Sequence, residues 1–127
     1  MPRDPNVPDA FDVFTFVILR RPDKAPEMSD QELDDLQARH LAYRAELRRQ
    51  GLLAVNGPCG EQSDPSYRGM SIFACDPAEA ARLSDGDPSV AAGRLAYDVV
   101  EWWVAADSLA FPNAGGPVGE RRSMPDD

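Results

Sequence analysis

The chain holds one histidine, His40. Imidazole is the side chain whose ordinary ionisation lies near neutrality, so it suits a general base or acid. A histidine in that role wants a carboxylate to fix its tautomer and steady its cation. Asp87 is placed for this: it follows a helical segment and precedes Pro88, on a connection able to turn back towards the segment carrying His40. Asp85, two residues earlier, is an alternative. The plain structural alternatives are a core histidine satisfied by a backbone carbonyl and a turn aspartate before proline. Other side chains could complete a site. Arg20 or Arg21, closing an apolar run, could grip a substrate carboxylate through paired hydrogen bonds. Tyr43, close to one turn from His40, could border the same cavity, Ser89 and Tyr97 offer hydroxyls, and Trp103 could wall a pocket. The backbone amides near Gly57–Gly60 could hold a developing oxyanion. Cys59 and Cys75 have no histidine beside them in sequence, so neither reads as a nucleophile.

Composition narrows the classes of function. With 127 residues and 43% hydrophobic content, the chain is expected to form one domain around a single core. The net charge of −9 argues against nucleic acid and against anionic membrane as partners. Arg44, Arg48 and Arg49 form a basic cluster interrupted by Glu46, which reads as a solvated helix face. No apolar run is long enough to span a membrane, and the start MPRDPNVPDA lacks the order of a signal peptide, so a cytoplasmic location is expected. One histidine and two separated cysteines argue against a zinc or other soft-metal site, and no cofactor is expected.

The element that must position His40 is the run SDQELDDLQARHLAYRAELRRQ, from Ser29 to Gln50. Leu33, Leu36, His40, Tyr43 and Leu47 recur at intervals of three or four, one face of a helix. Ser29 and Glu32 form a capping-box pattern, acids load the early turns, arginines load the last ones, and Gly51 closes the run. Residues 1–10, with three prolines, read as an arm. Phe11–Arg20 reads as a first strand with apolar residues on both faces, hence central. Leu52–Asn56 is a second strand broken by Gly57-Pro58-Cys59-Gly60, and Gly69–Cys75 a third. Asp76-Pro77-Ala78-Glu79 opens a second helix running to about Leu83 or Ser84. Residues 89–93 form a short helical turn or loop, and Leu95–Val104 is the last strand. Residues 105–127 read as a tail without regular structure, able to pack through Leu109 and Phe111.

The order β-α-β-β-α-β is the ferredoxin-like α+β arrangement. Two helices cover one side of its four-stranded sheet, leaving large apolar side chains on the other. A second copy packed sheet to sheet, as a homodimer, is the expected cover; a tail folded across the sheet is the competing one.

Three stretches, ARHLAYRAELRRQGLLAVNGP, SIFACDPAEAARL and DGDPSVAAGRLAYDVVEWW, resemble the YciI-related (YCII) domain family. The shared pattern is a helical histidine, a strand ending in Gly-Pro, and Asp-Pro-x-x-x-Ala-Gly before the last strand. Here these are His40, Gly57-Pro58, and Asp87, Pro88, Ala92 and Gly93. The resemblance covers about residues 11–104. It implies a dimeric ferredoxin-like α+β barrel with a pocket containing His40 and Asp87, in a family that includes chloromuconolactone dehalogenases. An aromatic often follows the Asp-Pro of the family, where this chain has Ser89, and the tail lies outside the pattern.

The reading that follows is a small-molecule enzyme of lyase or isomerase type. It would use His40 and Asp87 for cofactor-free proton transfer in the elimination, dehydration or isomerisation of a small lactone or enolisable acid. Arg20, Tyr43, Pro58, Ser89 and Trp103 are the candidates for holding substrate. The alternative is a non-catalytic dimeric module that binds a small ligand or serves as an accessory subunit, since one fold hosts both uses.

Overall fold

The computed structural model describes residues 4–112, 114 and 118–123. The elements in order are β1 (Ala10–Arg20), α1 (Asp30–Arg49), β2 (Leu53–Pro58), β3 (Tyr67–Phe73), α2 (Pro77–Asp85), α3 (Pro88–Ala91), β4 (Ala96–Ala105) and β5 (Glu120–Ser123). The strands form one antiparallel sheet in the order β2-β3-β1-β4. The two strands with apolar residues on both faces, β1 and β3, are the central ones.

Side chains alternate across β1. Val17 and Leu19 face the helices, where they form the core with Leu47 of α1, Ala80 and Leu83 of α2, Leu53 and Phe73. Each large aliphatic side chain buried this way contributes on the order of 1.5–3 kcal/mol. Helix α1 begins as its sequence dictates: the Ser29 hydroxyl accepts from the Glu32 amide, and the Glu32 carboxylate accepts from the Ser29 amide. Helix α2 is capped by Asp76, and the single turn of α3 by Asp87.

Two expectations need correction. The second strand does not break at Gly57-Pro58 but continues through both, pairing them with Met70 and Gly69. As an edge strand, β2 can turn the proline's missing donor to the unpaired side. The tail, read as lacking regular structure, contributes β5. Strand β3 pairs with β1 only over Thr15–Arg20, leaving the remainder of that edge open, and β5 fills it by pairing with Ala10–Val13. Arg121 of β5 bridges Asp12 and Asp107, anchoring the added strand.

The tail also covers one end of the face opposite the helices. Phe111 packs edge-on against Phe14 with ring centroids 5.6 Å apart, and Phe14 is buried. Elsewhere on this face Val55, Met70, Val100 and Trp102 remain exposed. The intramolecular cover is therefore partial. No helix among the described residues is long and apolar enough to cross a membrane.

Candidate functional site

His40 projects from the middle of α1, and Asp87 stands between α2 and α3. Their side chains meet. His40 Nδ1 lies 2.8 Å from Asp87 Oδ1 and 2.9 Å from Oδ2. The carboxylate is fully buried, whereas the imidazole is 12% exposed. Asp87 Oδ1 also accepts from the Ser89 amide at 2.9 Å, a contact that follows from its role as the cap of α3. In the neutral ring, a carboxylate facing Nδ1 favours the tautomer with its proton on that nitrogen, which leaves Nε2 with its lone pair.

A third group completes the cluster. Arg44, one helical turn beyond His40, is buried and places its guanidinium 3.4 Å from Asp87 Oδ2 and over the ring of Phe73. Burial lowers its pKa, with the Asp87 charge opposing that shift. Arg44 was expected on a solvated face. Its spacing carried the missed signal, because Leu36, His40, Arg44 and Leu47 share a stripe at intervals of three and four. A buried cation on that stripe requires an anion, and Asp87 is that anion.

His40 opens onto a cleft of about 280 Å³ between α1 and the β2–β3 edge. Leu19, Leu41, Pro58, Met70 and Leu95 give it an apolar lining. Gln37, Asn56, Arg21, Arg68 and the His40–Arg44 pair supply its polar groups. Pro58 thus lies with His40, as does Gly57. The Cys59 amide is already taken by the Arg68 carbonyl, so it is not a free oxyanion donor. Asn56 and Gln37 offer side-chain amides instead.

Other expected site residues lie elsewhere. Arg20 is directed to Asp98, with Nε 3.0 Å from Oδ2, and it is Arg21 that lines the cleft. Strand parity explains the difference: Arg20 shares the open-face register of Phe16 and Ile18. The Tyr43 hydroxyl donates to the Leu83 carbonyl at 2.7 Å, tying α1 to α2 outside the cleft lining, and burial raises its pKa. Ser89 is buried and borders an adjoining groove rather than the His40 cleft. Trp103 packs on Phe11 and beneath Arg122, far along β4 from the cleft. Asp85 accepts from the Tyr97 hydroxyl, so these two satisfy one another.

No curated protein matches the chain in sequence. Among solved structures it is similar to 5-chloro-2-hydroxyhydroquinone dehydrochlorinase (TftG) from Burkholderia phenoliruptrix AC1100, in complex with 2,5-dihydroxybenzoquinone. The identity is 28%, the match covers 69% of this chain and 92% of that one, and the TM-score is 0.46. The model of the YCII-related domain matches residues 14–103, which include α1 with its histidine, β3, most of β1 and the Asp87 turn. The chain therefore belongs to the YCII-related domain family.

Proposed function

We propose that the protein is a small-molecule enzyme in which His40 transfers protons and Asp87 orients it. The observation that carries this reading is the His40–Asp87 contact at the wall of a cleft, with Nδ1 engaged and the ring partly exposed. An imidazole so held is fixed in one tautomer, and its second nitrogen is free to remove or deliver a proton. The chemistry that fits is elimination, dehydration or isomerisation of a small lactone or enolisable acid, proceeding through protein groups without a cofactor.

In this mechanism Nε2 takes a proton from the carbon next to a carbonyl. The imidazolium that forms is stabilised by the buried Asp87 carboxylate, which Arg44 and the Ser89 amide hold in place. The charge developing on the carbonyl oxygen is met by the side-chain amides of Asn56 or Gln37. The same imidazolium then returns its proton to the product or to a departing group.

We further propose that the protein works as a homodimer joined through the exposed sheet face around Val100 and Trp102, where apolar side chains remain after the tail has covered Phe14.

The test is solvent-deuterium exchange and elimination, followed by NMR, over a panel of small lactones and enolisable acids. Activity in the native protein that falls by roughly 10²–10⁴-fold in folded His40→Asn supports the reading. Unchanged turnover in that variant removes His40 from the mechanism. An accessory or binding role gains ground if the panel is bound but no proton is exchanged.

A further inference from the structure

The cleft beside His40 carries a charge opposite to that of the molecule. The chain as a whole has 22 acidic side chains against 13 lysines and arginines. Among the described residues, the cleft lining nevertheless contains Arg21, Arg44, Arg68 and His40, and no carboxylate. The adjoining groove, which shares Arg21, Gln37 and Leu95 with it, contains a single acid among the described residues, Asp34, together with Arg94.

The charges in the cleft are not equally available. Arg44 is committed to Asp87. Arg21 uses only Nε, which donates to the Arg94 carbonyl at 2.9 Å, and its two terminal nitrogens have no partner among the described residues. The Arg68 guanidinium makes no hydrogen bond or ion pair to another described residue. Arg21 is held below its usual pKa first by burial and then by the nearby charges of Arg94 and Arg68. Guanidiniums gathered this way repel one another unless an anion sits between them. Their forked donors also match the geometry of a carboxylate or enolate oxygen pair.

We propose that Arg21 and Arg68 form an anion-binding pair that takes the substrate as its carboxylate or comparable oxyanion and sets the reacting carbon before His40. The anionic end lies against the two arginines. The apolar body rests on Leu19, Leu95, Pro58 and the exposed Leu41. Among the candidate substrates, this selects acids carrying a free anionic group over neutral lactones. It rests on the reading of His40 as the group that faces substrate, but concerns binding rather than proton transfer.

The experiment compares acetate, benzoate and 4-oxopentanoate with their neutral amides, titrated into the full-length protein. Binding is followed by NMR at the His40 ring and the arginine Nε–H groups. The expected result is that acids bind about tenfold or more tightly than the matching amides, since charge-assisted hydrogen bonds are made to the acids alone. That preference should disappear in Arg68→Gln and reverse in Arg68→Glu, variants at an exposed position that leave the core untouched. It should survive in His40→Asn, which separates the claim from the proton-transfer reading. Equal binding of acids and amides, an acid preference that persists in both Arg68 variants, or failure of every acid to perturb His40 would overturn the proposal.

Discussion

His40 Nδ1 sits almost evenly between the two oxygens of Asp87, at 2.8 and 2.9 Å. Both residues therefore depend on a contact that bridges α1 and the α2–α3 connection. Because Asp87 is fully buried, its charge is compensated by few groups: His40, Arg44 and the Ser89 amide.

Asp87→Asn should damage stability as well as chemistry. It leaves the buried Arg44 guanidinium facing a neutral amide, at an expected cost of about 3–5 kcal/mol in urea unfolding. Adding Arg44→Met, which removes the orphaned charge and keeps an apolar stem against Phe73, should recover much of that loss. Turnover should not recover with it, because the imidazole still lacks its carboxylate. Equal stability of Asp87→Asn and the double variant would contradict the coupling.

The exposed sheet face gives a second prediction. Trp102 and Val100 are 41% and 40% exposed on the single chain, in line with Phe14 and Phe16 across β1. If a second copy covers them, Trp102→Asp and Val100→Asp should yield monomers or insoluble protein, as read by light scattering. Soluble native dimers from both variants would rule out this seam.

Gly119 turns the tail into β5 with φ of +83°, and a Cβ there would lie 2.8 Å from the Phe14 ring and 2.9 Å from the Val13 carbonyl. Gly119→Ala therefore combines a left-handed backbone with a clash against a packed aromatic. It should destabilise the protein by about 1–3 kcal/mol in thermal or chemical unfolding. An unchanged midpoint would show that the tail contributes no packing at Phe14.

Cys75 should resist alkylation near neutrality. Burial, reinforced by the charges of Glu79 and Asp76, pushes its thiol up to about 11. In a Cys59→Ser variant, iodoacetamide labelling followed by mass spectrometry should be slow at neutral pH and rise towards that value. Rapid labelling at neutral pH would contradict this environment.

Much of the scaffold was legible because its signals are local. The Ser29–Glu32 capping box, the apolar alternation of β1 and the Asp76-Pro77 helix start act through neighbouring residues, and each element forms close to its expected bounds. Strand β5 was not legible, since Glu-Arg-Arg-Ser carries no apolar alternation and is a strand only because β1 leaves an edge unpaired. Arg44 and Arg68 were missed for related reasons. A charged residue reads as surface until the fold shows which buried acid or cleft it meets. Choosing Arg21 over Arg20 required the strand's parity and where it ends, and placing Trp103 required knowing how far the helices reach along β4.

The most direct test of the central claim is the tautomer of the His40 ring, read by long-range ¹H–¹⁵N NMR on the folded protein near neutral pH. The account predicts a proton on Nδ1, directed to Asp87, and an unprotonated Nε2 whose resonance responds when a cleft ligand is added. A proton resident on Nε2, with Nδ1 bare, would contradict it, because the nitrogen facing the cleft could then not act as the base.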